Sequence, residues 1–377
     1  MKSRFPFSRV NWLTSLFLLF TLLGALIGTP MYIYHYGLDW FQVAMFMFYV
    51  PATAMGITLG YHRLFAHKAF KAKWPVKLAT LIFGACAFEN SVLDWASDHR
   101  KHHKHVDHED DDPYSIKRGF FWAHVGWLIF KLTPGPLENV PDLKKDKLVM
   151  WQHRYCQRIA FFVGLVLPAV LGYFWNGGVG ALGGFLIAGL TRVVVVQHST
   201  FFINSLCHTI GRRPYSKASS ARDSPLMAVL TFGEGYHNYH HSFQHDYRNG
   251  VKRRSWDPTK WAIWLMSKVG LTSDLRRVPA EKILLAELAE TRREVAEKEE
   301  ALLAAKPFAT DCPKWQSALD SYHALLENFT ESYHELEASL GDSVTVSRKR
   351  LKEWRAEAQQ LLDQLAMMSR MEVASPA

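Results

Sequence analysis

Cysteine is scarce and scattered in this 377-residue chain: Cys86, Cys156, Cys207 and Cys312 form no C-x-x-C pair. That spacing excludes a zinc ribbon, an iron–sulfur cluster and a disulfide framework, and it fits a reducing, cytosolic face. Lysine and arginine are missing between Arg9 and Arg63, and charge of either sign is missing from Ile159 to Thr191. Apart from Asp39 the first window is also free of acids, and apolar runs of this length can cross a hydrocarbon core as helices. The chain is 49% apolar and 14% aromatic, yet its mean hydropathy is −0.08. Apolar and polar blocks are therefore segregated, the pattern of a membrane protein rather than of a uniformly soluble one.

Two apolar runs come first, about 12–34 and 40–60. The start, Met1 to Val10, is basic, but the run after it is too long for a signal-peptide core and lacks a small-residue cleavage site, so it reads as a retained anchor. The short connector 35–39 is expected outside and both ends of this hairpin inside. The window 159–191, turning at Gly177-Gly178, predicts a second hairpin with spans of about 159–176 and 179–200. Arg192 marks where its returning helix leaves the lipid or turns inward, and residues 193–208 rise from the membrane. The stretch 76–95, interrupted by Glu89, Asn90 and Asp94, reads as one helix at the interface. Residues 117–147 read as a cytoplasmic loop containing Pro134, Pro136 and Pro141, with an amphipathic piece around 120–130, and 256–269 as another interfacial helix. From Pro279 the composition turns to Ala, Leu, Glu, Lys and Arg with helical apolar spacing. Pro307, Pro313 and Gly341 divide it into three helices, a soluble appendix suited to an antiparallel coiled hairpin or a dimerisation element.

The formal charge is +9. Residues 281–377 hold 12 Lys+Arg against 18 Asp+Glu, so the tail is acidic and the first 280 residues carry +15. A basic body whose charges border apolar spans suits anionic headgroups or a polyanionic substrate such as an acyl thioester of coenzyme A, and it argues against nucleic acid.

The chemistry concentrates in histidine. His99, His102 and His103 stand at offsets of three and four, as do His237, His240 and His241, and on a helix each trio shares a face. His62 and His67 are five apart, about 140° round an α-helix, which assigns them to different metals or to the two sides of a bend. These eight imidazoles are too many for one ion. His208, four residues after Asn204 on an emerging helix, is a ninth candidate, and nine suit two ions of four or five ligands each. The glycines of Gly233-Glu-Gly-Tyr-His237 allow close backbone approach before the last trio. The acidic run of Asp107, Glu109, Asp110, Asp111 and Asp112 is either a solvated loop or a source of carboxylates that accept hydrogen bonds from ligand imidazoles and fix their tautomers. His35, His124, His153, His198, His323 and His334 read as surface or satisfied core residues. Imidazole suits Fe, Zn, Cu and Ni. Iron is preferred, because a redox-active pair at a membrane surface can activate O2 against an unactivated C–H bond.

The segments His62-Arg-Leu-Phe-Ala-His67, His99-Arg-Lys-His-His103, Asn204-Ser-Leu-Cys-His208 and Gly235-Tyr-His-Asn-Tyr-His-His241 resemble the histidine boxes of the membrane acyl-CoA desaturases of the stearoyl-CoA Δ9 group. The likeness runs from about Tyr34 to Val269 and includes Phe88-Glu-Asn-Ser-Val-Leu-Asp-Trp, Arg118-Gly-Phe-Phe-Trp-Ala-His and Arg213-Pro-Tyr. It implies an all-α integral membrane fold: four transmembrane helices in two hairpins, with a cytosolic helical cap holding a di-iron site, and a soluble helical tail. Residues 1–10 would be a cytosolic N-terminus, 11–278 the desaturase domain and 279–377 the extension, with the active site on the cytoplasmic side of a bacterial inner membrane. The implied ligands of two Fe2+ are His62, His67, His99, His102, His103, His208, His237, His240 and His241, with Asn204 acting through water. Trp95, Thr200 and Asn90 fall at the implied acyl tunnel, with Val50 and Ala54 at its end, and Arg100, Lys117 and Arg118 toward coenzyme A. Glu89 replaces an expected neutral amide. No His-Pro-Gly-Gly haem signature occurs, so a separate donor, a ferredoxin or b-type cytochrome with its reductase, is expected to supply electrons. The remaining alternatives are an acyl-lipid desaturase, a hydroxylase of the same class and, outside enzymes, a histidine-rich metal transporter.

Overall fold

The computed structural model describes residues 7–130, 137–306, 312–341 and 346–371. Pro134, Pro136 and Pro307 lie outside the described residues. The described chain is mostly helical and divides into two compact units, Met1–Arg212 with Ser219–Arg277, and Arg213–Ala218 with Val278–Ala377.

In the first unit, helices α1 (Trp12–Tyr36) and α2 (Trp40–Ala66) are each long and apolar enough to cross a membrane. Asp39 starts α2: its carboxylate accepts from the backbone N–H of Gln42 at 2.9 Å, and the Gln42 side chain accepts from the N–H of Asp39 at 3.3 Å. This reciprocal pair satisfies two donors that a helix start leaves open. A third such stretch, Lys147–His208, is broken at Asn176 and at Gly177, whose φ of +55° an L side chain rarely adopts. Two helices result, α5 (147–175) and α6 (178–208).

The stretch expected as one interfacial helix is instead two, α3 (Trp74–Ala85) and α4 (Val92–His105). Phe88 (φ +58°) and Asn90 (φ +68°) turn the backbone into the left-handed region. Ser91 then restarts the helix by accepting from the N–H of Asp94, and Gln152 accepts from the N–H of Val92 at 3.1 Å. The break reorients α4 and the histidines it carries. Gly56 permits α2 and α3 to touch, since a Cβ there would collide with the backbone of Phe83 and Gly84.

Arg192 turns inward. It is fully buried, and its guanidinium donates to the carbonyls of Ala188 (3.1 Å), Gly164 (2.5 Å) and Cys86. Backbone oxygens thus solvate a charge that lipid would not. Short helices α7 (Pro225–Leu230) and α8 (His237–Ser242) precede α9 (Pro258–Lys268). A two-residue ladder pairs Lys71 with Ser273 and Ala72 with Thr272, antiparallel.

The second unit holds α10 (Ala280–Ala305), α11 (Pro313–Gly341) and α12 (Arg348–Arg370). Leu284, Leu288 and Val295 of α10 pack with Trp315, Tyr322, Phe329 and Leu336 of α11 and with Trp354, Leu361 and Leu365 of α12 in one core. Lys306 closes the end of α12 by donating to the carbonyls of Met368, Ser369 and Met371.

Candidate metal centre

Nine imidazoles gather into two groups. His62, His67, His99, His103 and His240 form one, His102, His208, His237 and His241 the other, and within each group one nitrogen per residue lies within 4.8 Å of all the others. The helical offsets explain the division. His99 and His103, four apart on α4, enter the first group, while His102 between them enters the second. On α8 the assignment is reversed: the i, i+4 pair His237 and His241 enters the second group and His240 the first. Each helix therefore feeds both groups.

His62 and His67 join the same group, which overturns one of the two readings of their five-residue spacing, that they serve different metals. The backbone over 56–66 closes i→i+5 hydrogen bonds, the last running from the His67 N–H to the His62 carbonyl at 3.0 Å. This wider turn brings residues five apart nearly one above the other, where an α-helix would set them apart.

Nitrogen spacing tests whether metal fits. Nε2 atoms lie 3.0 Å apart for His62–His240, 2.7 Å for His67–His99, 2.9 Å for His103–His240, and 3.1 Å for both His208–His237 and His237–His241. Two imidazole nitrogens each about 2.1 Å from one ion, at right angles, stand about 3.0 Å apart. Outer contacts point the ring protons away from these meeting points. His102 Nδ1 donates to Asp112 at 2.8 Å and His208 Nδ1 to Ser220 at 2.7 Å, whereas His62 Nδ1 stands 2.9 Å from Glu234 as a close charge contact outside hydrogen-bond geometry. With Nδ1 donating, Nε2 carries a lone pair into the group, as ligation requires. The Nε2 of His102 is buried with no protein partner among the described residues. Burial first, then neighbouring imidazoles, hold His67, His99, His103, His237, His240 and His241 well below the ordinary histidine range, so all stay neutral. The residues present fit metal.

A cavity of about 1410 Å3 reaches both groups, touching His62, His99, His102 and His237. Trp95, Thr200, Asn90, Asn204 and Arg118 line it, and so does Glu89. Trp95 stacks on His99, ring centroids 4.7 Å apart at 22°, and its Nε1 is 3.3 Å from Glu89 Oε2. The other oxygen of Glu89 is buried without a protein partner among the described residues, and burial pushes the carboxyl up to about 8 against the lowering effect of Thr200 and Trp95. Val50 and Ala54 do not line the cavity. Ala54 belongs to the core cluster that includes Ile57, Leu59 and Tyr61, and Val50 packs against it.

Arg100 leaves the coenzyme A reading. All five of its guanidinium N–H groups are taken, by the carbonyls of Phe65, Ala66 and Asn139 and by both carboxylate oxygens of Asp142. A phosphate would have to displace that set. Lys117 is exposed, and Arg118 lies 3.3 Å over the Trp122 ring.

Sequence reasoning missed Ser220, Arg63 and Glu234. Glu234 sits between the glycines already singled out; its carboxylate meets His62 and accepts from Arg63 at 2.9 and 3.2 Å. Arg63 also pairs with the buried Asp257 at 3.0 Å. Burial opposes ionisation of Glu234, but Arg63 and His62 hold it below the usual carboxylate range.

Long apolar helices whose ends converge on two imidazole-only clusters define a polyhistidine membrane protein. The chain belongs to the fatty acid desaturase family: the "Fatty acid desaturase" family model matches residues 38–246. It is similar to a probable acyl-CoA desaturase of Schizosaccharomyces pombe, 43% identical over 238 residues, covering 62% of this chain and 49% of that protein. Acyl-CoA desaturase 1 of Saccharomyces cerevisiae is 38% identical over 272 residues, 71% of this chain and 52% of that one. Human stearoyl-CoA desaturase is 38% identical over 244 residues, 63% and 67%. The chain spans about half the length of the two yeast relatives it matches.

Proposed function

We propose that this chain is an O2-dependent acyl-CoA desaturase that introduces a cis Δ9 double bond into a saturated long-chain acyl group. The observation that carries this reading is the meeting of two imidazole groups with one cavity in a chain of the fatty acid desaturase family. Two Fe2+ held by the nine histidines, with Asn204 acting through water, would supply the O2-dependent oxidation of C–H bonds. The acyl chain loses two hydrogens, and with two electrons and two protons from outside, O2 leaves as two waters. A ferredoxin or a b-type cytochrome with its reductase would deliver the electrons.

The protein's own part is placement. Trp95, locked between Glu89 and the His99 ring, and Thr200 would hold one methylene pair beside the centre, because the methylene nearest the oxidant is the one that reacts. Asp112 and Ser220 keep the His102 and His208 rings in the tautomer that faces inward, and Glu234 sets a negative charge beside His62. Arg118 and Lys117 would meet the coenzyme A phosphates. The four apolar helices would span the membrane as two hairpins, with the centre at their cytoplasmic ends. The test is expression in a host lacking its own desaturase, with double-bond location in its fatty acids by mass spectrometry. An alcohol instead of an alkene, or no O2-dependent product, would refute the reading.

A further inference from the structure

The two imidazole groups are oriented by different parts of the chain. In the five-histidine group, the outer contact of His62 goes to Glu234 and through it to Arg63 and Asp257. In the four-histidine group, two of four rings depend on one short turn, residues 107–112. His102 Nδ1 donates to Asp112 Oδ1 at 2.8 Å, and His208 Nδ1 donates to Ser220 Oγ at 2.7 Å. Ser220 is itself clamped at both ends by Asp107. Its hydroxyl donates to one carboxylate oxygen at 2.5 Å, and its backbone N–H donates to the other at 2.6 Å. Asp107 is tied in turn to Asp112, whose Oδ2 accepts from the Asp107 N–H at 3.2 Å.

Donor and acceptor directions are forced along this path. A carboxylate accepts only, so the serine hydroxyl must donate to it, which leaves the serine oxygen free to accept from the imidazole. That fixes the proton of His208 on Nδ1 and its lone pair on Nε2, 3.1 Å from the Nε2 of His237. Asp107 holds this position in the left-handed region at φ +65°, a conformation uncommon outside glycine though more accessible to Asp. Of the five acids in the turn, Glu109 and Asp110 are exposed, while Asp107 and Asp112 make the contacts to Ser220 and His102.

We propose that Asp107 and Ser220 are positioning residues for one metal only: the Asp107–Ser220 clamp holds His208 for the ion of the four-histidine group and leaves the ion of the five-histidine group unaffected. The proposal rests on the two-metal reading above. Removing an outer hydrogen-bond partner of a ligand histidine costs about 10- to 100-fold in metal affinity, and here that loss falls on one ion of two.

The test uses purified full-length protein loaded anaerobically with Fe2+ and challenged with a ferrous chelator, release being followed by absorbance. In Ser220→Ala and in Asp107→Asn, one equivalent of iron should leave about 10- to 100-fold faster while the other keeps the wild-type rate. Ser220→Thr, which keeps the hydroxyl, should release both as wild type does. Asp112→Asn should speed the same equivalent as Ser220→Ala, and Glu234→Gln the other. Circular dichroism of each variant separates local loosening from unfolding, and the conservative Ser220→Thr keeps the test open if Ser220→Ala fails to fold. Release of both equivalents together, or of neither, in a folded Ser220→Ala or Asp107→Asn variant overturns the proposal. Wild-type protein that binds fewer than two irons overturns the two-metal reading itself.

Discussion

Replacing Glu89 with glutamine should change how stability responds to pH. The carboxyl sits in the cavity wall with one oxygen 3.3 Å from Trp95 Nε1 and the other without a protein partner among the described residues. Burial lifts its titration from the usual 4.5 to about 8, so the folded protein holds its proton more tightly than the unfolded chain does. A raised value means that the stabilisation is whole below about pH 4.5 and is lost as pH climbs through about 8. At 1.36 kcal/mol per pH unit the full loss is about 5 kcal/mol. That figure is a ceiling, because water entering the cavity would solvate the charge. Linkage assigns about 3 kcal/mol of it to the interval between about pH 6 and about pH 9. Glu89→Gln keeps the shape and cannot ionise, so that part of the pH response should vanish. Thermal unfolding of detergent-solubilised wild type and variant across that interval measures it: the wild-type curve should fall away from the variant's from about pH 6 to about pH 8 and run parallel to it above that. Curves parallel throughout would refute the assignment of a neutral buried carboxyl. If the cavity takes the acyl chain, KM for acyl-CoA should also rise on the alkaline side in the wild type alone.

His240→Ala removes a ring whose Nε2 stands 3.0 Å from that of His62 and 2.9 Å from that of His103. Metal analysis should find iron lost from the five-histidine group and product formation abolished, with membrane insertion intact; full metal content would count against the ligand role. Val50 and Ala54 stand outside the cavity wall, on the helical face that carries Ile57 into it; if the acyl tunnel runs on along that face, Val50→Trp should shorten the preferred acyl chain, and an unchanged product profile by gas chromatography would end the tunnel at Ile57. Gly84→Ala drives a methyl group into the buried Tyr61 ring and should lower stability by about 1–3 kcal/mol in thermal unfolding. Trp315→Ala removes a fully buried ring from the α10–α12 core at a cost of about 3–5 kcal/mol; limited proteolysis should then cut the tail first, and equal resistance would contradict its packing.

Much of the site is legible before any coordinates, because offsets of three and four put imidazoles on one helical face whatever the rest of the chain does. What those offsets do not reveal is that the members of a trio part company: His99 and His103 go one way and His102 the other, a division set by the partners above and below the helix. The pair His62 and His67 misleads for a local reason, since an angle worked from 3.6 residues per turn does not hold where the backbone closes i→i+5. The break at Phe88 and Asn90 escapes notice because neither residue is a glycine, and only Ser91 marks the restart. Glu234 and Ser220 are single polar residues whose role exists only through contacts 172 and 12 positions away in sequence, at His62 and His208. Arg100 shows the converse: beside a histidine box it reads as a phosphate binder, but folding spends its whole fork on Asp142 and three carbonyls. The polar run 107–112 leaves two readings open, a solvated loop or a source of partners, and both are realised: Glu109 and Asp110 are exposed while Asp107 and Asp112 contact Ser220 and His102.

The widened turn at 56–66 carries a lesson about motif spacing. A regular helix would align two side chains four apart, whereas this one aligns them five apart because its coil accommodates a supernumerary residue. Deleting Leu64 would therefore yield a sequence whose shorter gap an ordinary coil could satisfy, while every residue upstream would be rotated and drawn inward by one step. Gain or loss of one residue between His62 and His67 would turn one ring out of its group unless the coil's pitch changed with it, so winding and motif length form one geometric constraint.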